Sequence, residues 1–304
     1  MSLHVRIDCS PIYELIGSYM LYVHRKWIRN VEGGPNWIQQ VEAQLSTDAI
    51  EQSTLLRKYS MHEFDIFFAA ALEREHPHDI PLFLTQLGRM SEDDWSRIIQ
   101  LYGLPYDQAC IDRIRQVYIP ALILWYDHYL RWSVPLWEPA LIADANEKRR
   151  LMSKMNPTDL IEIATNGVVL DTDGEIQEVV LAPMWHYRPI NNTCTFKHST
   201  LMLYSIDLPE DTADTPPQSL KRMISALADD TRLRILRMIA VNPVTFAELS
   251  EHLNLGKNAV QHHLAVLRSA GYIRTYWSGK VEQIALRQEG LADLSVFLED
   301  YVQP

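Results

Sequence analysis

Cysteine and glycine are scarce in this chain, and their scarcity excludes several classes of function. Its three cysteines, Cys9, Cys110 and Cys194, lie far apart and in no C-x-x-C spacing, so they indicate neither a disulfide framework nor a zinc cluster. There are only 11 glycines, and no G-x-G-x-x-G, phosphate-loop, G-x-S-x-G or H-E-x-x-H sequence occurs. We therefore expect no catalytic residues, no bound metal and no cofactor.

Long apolar runs are also missing. No segment reaches the roughly 18 consecutive apolar residues of a transmembrane helix, and the first residues do not have the pattern of a signal peptide. We expect a cytoplasmic protein without a membrane partner. The 304 residues, 47% hydrophobic and 10% aromatic, predict about two globular domains.

The segment from Leu253 to Arg268 predicts a helix with two unlike faces. Val260, Leu264 and Leu267 form an apolar stripe at i, i+4 and i+7. The residues that point away from this stripe are Lys257, Asn258, Gln261, His262, Ala265 and Arg268. Such a face, rich in hydrogen-bond donors and free of acids, suits the DNA major groove, whose bases and flanking phosphates offer acceptors.

The neighbouring segments predict a winged helix-turn-helix around this recognition helix. Thr245 to Glu248 is a capping box that opens a helix to Leu253, and Asn254-Leu255-Gly256 has the length of the turn. Residues 272–286 alternate around Ser278-Gly279-Lys280, which is typical of a hairpin. The predicted DNA-binding residues are Thr245, Lys257, Asn258, Gln261, His262, Arg268, Arg274, Tyr276 and Lys280. Among them Arg274, Tyr276 and Lys280 of the wing are expected to contact the DNA backbone.

The region from about residue 217 to 287 resembles the ArsR-type bacterial repressors. The resemblance is carried by Leu227-Ala-Asp-Asp-Thr-Arg-Leu-Arg-Ile-Leu236, Glu248-Leu249, Val260-Gln-His-His-Leu264, Leu267-Arg268 and Gly271-Tyr-Ile273. It implies a dimeric transcription factor that places its recognition helix in the major groove of operator DNA. Unlike the family's metal sensors, Phe246 to His252 contains no paired cysteines and Leu291 to Tyr301 no histidine. Metal sensing through those positions is therefore not expected.

Charge is divided unevenly along the chain. The whole sequence carries −11, whereas residues 219–287 hold ten basic and five acidic side chains and so carry +5, which leaves −16 for the rest. Chance asymmetry of solvated faces is the simpler interpretation. Because the basic segment coincides with the helix-turn-helix, we interpret it as the footprint of a DNA-binding module.

The predicted fold class is α+β, a mostly helical N-terminal domain with a small β-segment followed by a winged helix-turn-helix. Residues 1–207 form the sensing or dimerisation domain, with a possible strand at Leu3 to Ile7 and short strands within 166–206. Residues 208–217 are acidic and contain prolines, which indicates a linker, and 218–304 form the DNA-binding domain. The last helix carries Leu291, Leu294, Phe297, Leu298 and Tyr301 at helical spacing, either as a homodimer seam or as packing within the winged domain.

Aromatic residues concentrate in two stretches of the N-terminal domain. Trp125, Tyr129, Trp132 and Trp137 form one, and Trp185 belongs to the other. They are candidates for a pocket that binds an uncharged or cationic small organic effector, although a filled core or an interface explains each residue equally simply. The predicted function is a DNA-binding repressor released by such an effector. The alternative is an enzyme domain fused to a DNA-binding module.

Overall fold

The computed structural model describes residues 3–170, 176–210, 212, 214–278 and 281–303. The chain divides into two compact units. Unit 1 comprises Met1–Glu147 and Glu175–Ile206, and unit 2 comprises Lys148–Gly174 and Asp207–Pro304. The winged helix-turn-helix expected from residue 218 onward lies in unit 2. Residues 148–174 also belong to unit 2, whereas their position in the sequence suggested the N-terminal domain.

The described part of the chain is mostly helical, with one strand near its start, four strands between residues 168 and 205 and three in the winged region. The first part of the chain, which begins in unit 1 and enters unit 2 within α9, contains β1 (His4–Ile7), α1 (Pro11–His24), α2 (Gly34–Glu42), α3 (Thr47–Leu56), a 3₁₀ turn (Met61–Phe64), α4 (Asp65–Leu72), α5 (Ile80–Arg89), α6 (Glu92–Tyr102), α7 (Gln108–Arg113), a π-helical turn (Ile114–Tyr118), α8 (Ile119–Trp125), a second π-helical turn (Tyr126–Leu130) and α9 (Arg131–Met152). Next come α10 (Pro157–Thr165) and β2 (Val168–Leu170) of unit 2, and then β3 (Glu178–Met184), β4 (Asn192–Thr195) and β5 (Ser199–Ser205) of unit 1. Unit 2 continues with α11 (Gln218–Leu227), α12 (Asp230–Ile239), β6 (Val244–Thr245), α13 (Phe246–Leu253), α14 (Lys257–Ser269), β7 (Ile273–Ser278), β8 (Val281–Leu286) and α15 (Gln288–Val302).

Unit 1 is built around a four-stranded sheet in the order β1-β3-β5-β4. β1, β3 and β5 are parallel, with Val5 opposite Val179, while β4 runs antiparallel to β5. β3 and β5 are apolar and buried almost throughout, as expected for parallel strands covered on both faces. The predicted strand at Leu3 to Ile7 corresponds to β1, and three of the short strands predicted within 166–206 correspond to β3, β4 and β5.

Helix α1 lies in the core of unit 1 because it is apolar on nearly all sides. Its N-cap Ser10 accepts a hydrogen bond from the Ile12 amide, and all of its residues from Pro11 to Val23 are buried. Two ionisable groups are buried with or beside it. Glu14 is fully buried, and Asp8, just before the helix, accepts hydrogen bonds from Arg74 and from the Tyr13 hydroxyl. Burial opposes ionisation of Asp8, but these bonds hold its pKa below the ordinary value.

Unit 2 contains the helices and hairpin of a winged helix-turn-helix. Its core consists of apolar residues from α11 to α14 and from the wing, among them Ile235, Leu249, Val260, Tyr272 and Ile284. The sheet has the order β2-β7-β8-β6. β7 and β8 form the expected hairpin, and β2 pairs in parallel with β7, with Val168 opposite Thr275. The strand predicted near residue 168 therefore exists but extends the wing.

Candidate nucleic-acid interface

Helix α13 begins with the capping box that its sequence predicts. The Thr245 hydroxyl accepts from the Glu248 amide at 3.3 Å, and the Thr245 amide donates to the Glu248 carboxylate at 2.7 Å. This bond from the Thr245 amide lowers the pKa of Glu248 below its ordinary value. The Thr245 hydroxyl also donates to the same carboxylate at 2.8 Å. Thr245 is therefore engaged in starting the helix, whatever else it contacts.

The turn between α13 and α14 sets the direction of the recognition helix. Asn254 closes α13 in the left-handed conformation, with φ of 53°, which asparagine tolerates better than most residues. The Ser250 hydroxyl donates to the Leu255 carbonyl at 2.8 Å and holds the turn against α13. Gly256 is the N-cap of α14, as its position in the sequence suggested, and makes no side-chain cap.

The two faces of α14 separate as the residue spacing predicts. Val260, Leu264 and Leu267 are buried in the core of unit 2. Lys257, Asn258, Gln261 and His262 are exposed to solvent. The helix thus presents one ammonium, two carboxamides and one imidazole on a surface where a DNA major groove could lie.

His263 sits between these faces and is mostly buried. Its side chain is 17% exposed, and Nδ1 lies 3.7 Å from an Asp229 carboxylate oxygen at the start of α12. Burial lowers the pKa of His263 below its ordinary value, and Asp229 opposes that effect. A neutral imidazole at this position contributes packing between α14 and α12.

Arg268 joins the recognition helix to the wing. Its guanidinium donates to the Glu282 carboxylate at 2.7 Å and to the Thr275 hydroxyl at 3.3 Å. Tyr276 is half-buried on β7. Lys280, the predicted contact at the tip of the hairpin, lies outside the described residues.

Arg274 is held in ion pairs within unit 2. Its Nε donates to the Glu162 carboxylate of α10 at 2.5 Å, and Nη2 donates to both Glu289 oxygens at 3.0 Å. Burial disfavours the charge, but the hydrogen bond to Glu162 raises the pKa of Arg274 above its ordinary value. The sequence offered no signal for this pairing, since Glu162 precedes Arg274 by 112 residues.

The aromatic residues predicted to line a pocket occupy two environments in unit 1. Trp125, Tyr129 and Trp137 are buried, while Trp132 is 69% exposed with the Arg131 guanidinium above its ring. The Tyr129 ring lies 4.6 Å from that of Trp125 between centroids. Trp132 therefore does not share the buried environment of the other three.

A chain of polar contacts runs through this buried aromatic cluster. The Trp37 indole donates to the Tyr129 hydroxyl at 2.7 Å, and that oxygen lies 2.9 Å from His186 Nε2. His186 Nδ1 contacts the buried Glu14 carboxylate, which also accepts from the Trp185 amide. No described residue accepts a hydrogen bond from the buried Trp185 indole N–H. The cluster therefore combines closely packed aromatic rings with a buried indole N–H that no described residue accepts from.

The aromatic cluster lies at the end of strand β3. Glu14 accepts from the backbone after β3 and contacts His186, so one buried carboxylate ties α1 to the end of that strand. The Trp37 and Trp137 rings lie 5.7 and 6.1 Å from the His186 ring between centroids. The carboxyl ends of parallel strands are where α/β sheets often bind ligands. The position of the cluster is therefore compatible with a binding site in unit 1.

Metal-binding clusters and membrane-spanning helices are both absent from the described residues. Within those ranges, no group of three or more His, Cys, Asp or Glu side chains is arranged to hold a metal ion. In the same part of the chain, no helix has both the length and the apolar character needed to span a bilayer.

Comparison with known proteins identifies the winged region. The family described as bacterial regulatory protein, arsR family, matches residues 229–275, from the N-cap of α12 into β7. A probable mercury resistance operon repressor of Streptomyces lividans is 35% identical over 86 residues, which are 27% of this chain and 69% of that protein. The chain belongs to the ArsR family. The transcriptional repressor SdpR of Bacillus subtilis is 28% identical over 74 residues, 24% of this chain and 82% of SdpR.

Solved structures also resemble part of this ArsR protein. Reduced HlyU from Vibrio cholerae has 30% sequence identity and covers 28% of this chain and 90% of its own, with a TM-score of 0.23. Family membership makes the protein a DNA-binding transcriptional regulator with a winged helix-turn-helix, as the sequence predicted. The family match at residues 229–275 falls entirely within unit 2, so unit 1 lies outside it.

The capping role of Thr245 is testable. Thr245→Ala should destabilise α13 by about 1 kcal/mol, because the Glu248 amide loses its acceptor at the helix start. Amide hydrogen exchange across α13 measures this change, and Thr245→Ser, which keeps the hydroxyl, is the matched control. Weaker DNA binding with unchanged exchange would instead indicate that Thr245 contacts DNA directly.

Proposed function

We propose that this ArsR-family protein is a homodimeric repressor that reads operator DNA with α14 in the major groove. The observation that carries the proposal is the division of α14 into a buried apolar stripe and an exposed row of Lys257, Asn258, Gln261 and His262. Because bacterial DNA lies in the cytoplasm, the protein acts there.

The chemistry of the exposed row matches base edges. The carboxamides of Asn258 and Gln261 can pair bidentately with adenine, and the Lys257 ammonium can donate to guanine O6 and N7. Phosphates flank the groove on both sides, and the net +5 of residues 219–287 favours them. Thr245, Arg268, Tyr276 and Lys280 are candidates for contacts with the backbone, which would position the helix without specifying sequence.

Gln261→Ala should weaken binding to the operator by about 1–3 kcal/mol and relax the preference at one base pair. The fold should stay intact, because the Gln261 side chain is exposed. The operator is first obtained by selecting genomic fragments on the protein, and binding is then titrated on selected and random DNA. Gln288→Ala, an exposed glutamine at the start of α15, is the control. Equal losses on both DNAs would exclude base reading by Gln261.

The dimer is proposed to form through α15. Leu291, Val296, Phe297, Leu298 and Val302 are all more than 40% exposed on this helix, and Ile224 of the adjacent α11 is 49% exposed. Leu294 packs against the core of unit 2, whereas these apolar side chains around it remain largely in solvent. A two-fold dimer doubles the number of base pairs read, which the specificity of an operator requires.

Phe297→Asp should convert the dimer to a monomer, because it would bury a carboxylate in an apolar seam. Sedimentation equilibrium measures the mass, and operator affinity should fall with it. Val241→Asp places the same charge on a residue that is 77% exposed outside α15 and should leave the mass unchanged. A dimer that survives Phe297→Asp would rule out this seam.

The effector is proposed to be an uncharged or cationic organic molecule that binds at the aromatic cluster of unit 1. Trp125, Tyr129 and Trp137 are buried aromatic rings, the Trp185 indole N–H is a donor that no described residue accepts from, and Glu14 is a buried carboxylate. The charge of −16 outside residues 219–287 disfavours anions.

Aromatic amines should quench tryptophan fluorescence and release operator DNA over the same concentration range, because coupled sites shift together. Aromatic carboxylates of matched size are the control ligands. Trp137→Phe should shift both titrations, and Trp132→Phe, at the exposed position, should shift neither. Quenching without any change in DNA affinity would separate the cluster from regulation.

A further inference from the structure

The outer edge of the wing is covered by a strand from far earlier in the chain. β2 pairs in parallel with β7, and the Thr275 amide donates to the Gly167 carbonyl at 2.8 Å. The strand comes directly after α10, whose C-cap Asn166 is left-handed with φ of 57°. Residues 157–170, which we call the α10–β2 segment, thus form a docked piece of unit 2.

Two glycines make the docking tight. A Cβ on Gly167, where φ is +118°, would lie 2.3 Å from the Ile273 carbonyl oxygen, which is backbone and cannot turn aside. A Cβ on Gly271, where φ is +74°, would lie 2.5 Å from Asn166 Oδ1. Side chains at either position would push the segment away from the wing. The segment and the wing are therefore closely packed at these two positions.

Glu162 connects the segment to both strands of the wing at the base of the hairpin, where Ile273 pairs with Leu286. Its carboxylate accepts from Arg274 on β7 and lies 3.9 Å from Nε of Arg287, the residue after β8. Arg287 in turn donates to the Gly271 carbonyl at 3.1 Å and to Asp293 of α15 at 3.0 Å. The Glu162 and Arg287 side chains are only 16% and 13% exposed. One carboxylate of low exposure thus faces two guanidinium groups at the base of the hairpin.

We propose that the α10–β2 segment belongs to the DNA-binding machinery and that Glu162 is a positioning residue that orders the wing through Arg274. This inference rests on the proposed function as a DNA-binding protein. In the hairpin, β8 is paired with the two-residue strand β6, whereas among the described residues β7 has no partner on its outer side except β2. β2 and the ion pair therefore fix the β7 side of the wing before DNA arrives. Ordering the wing in advance removes part of the entropy that binding would otherwise cost. Arg274 then acts by holding the wing and makes no phosphate contact.

The test compares Glu162→Gln, Arg274→Gln and the double variant in the full chain, with Asp214→Asn as a charge-matched control at an exposed position of unit 2. Each single variant at the pair should weaken operator binding by about three- to tenfold. The double variant should bind no more weakly than Arg274→Gln, because that single variant already removes the Glu162–Arg274 pair together with the bonds to Glu289. The salt dependence of binding should keep its slope in all of them.

Two outcomes in DNA binding overturn the inference. If Arg274 contacts a phosphate, Arg274→Gln lowers the salt slope by about one, and Glu162→Gln frees the guanidinium and tightens binding. If the pair is irrelevant to the wing, Glu162→Gln binds like Asp214→Asn.

Hydrogen exchange on the DNA-free protein separates this inference from the proposed function. Glu162→Gln and Gly167→Ala should speed exchange in β7 and leave α14 unchanged, while Gly88→Ala, where a Cβ meets no atom within 4 Å, should change neither. Unchanged exchange in β7 overturns the positioning role even where DNA binding is intact. If the variants exchange faster in β7 but the protein binds no DNA, the role of the α10–β2 segment in ordering the wing stands and the proposed function is wrong.

Discussion

The parallel pairing of β2 with β7 is the constraint on which the position of the wing in unit 2 depends. It adds a strand to the edge of the wing that would otherwise present unpaired amides and carbonyls to solvent. It also places Glu162 beside Arg274 and Arg287, whose charges are partly withdrawn from water. Such ion pairs contribute more to a defined geometry than to net stability, because desolvation offsets much of the attraction. Here the geometry that the ion pairs define is the orientation of the wing relative to α14.

Short-range sequence patterns predicted local structure well, but they did not predict contacts between residues that are far apart in the sequence. The capping box at Thr245, the N-cap at Gly256 and the two faces of α14 result from spacings of three and four residues. The position of β2 could not be predicted, because Val168-Val-Leu170 fits any apolar sheet edge and its partner lies more than a hundred residues later. The same holds for Glu162, one of 39 acidic residues any of which could have faced Arg274.

Trp132 shows a different limit of sequence patterns. In a regular α-helix it would share a face with Trp125, seven residues earlier. The π-helical turn at Tyr126–Leu130 adds residues to the turn between them and rotates the helix beyond it, so Trp125 is buried and Trp132 is 69% exposed. Tyr129, inside the π-helical turn, still reaches Trp37 and His186. An irregular turn of this kind leaves no mark in apolar periodicity.

The path of the chain gives the α10–β2 segment a second consequence. Residues of unit 1 lie before and after it along the sequence, at Glu147 and Glu175, so the strand at the wing edge is joined by peptide to unit 1 on both sides. Through this segment, a ligand of unit 1 alters DNA affinity to the extent that it distinguishes states in which the segment is docked from states in which it is not. DNA binding must then change the affinity for the ligand by the same free energy. A winged domain joined only through residues after 206 would lack this second route, which makes the docked segment the physical element through which such coupling could pass.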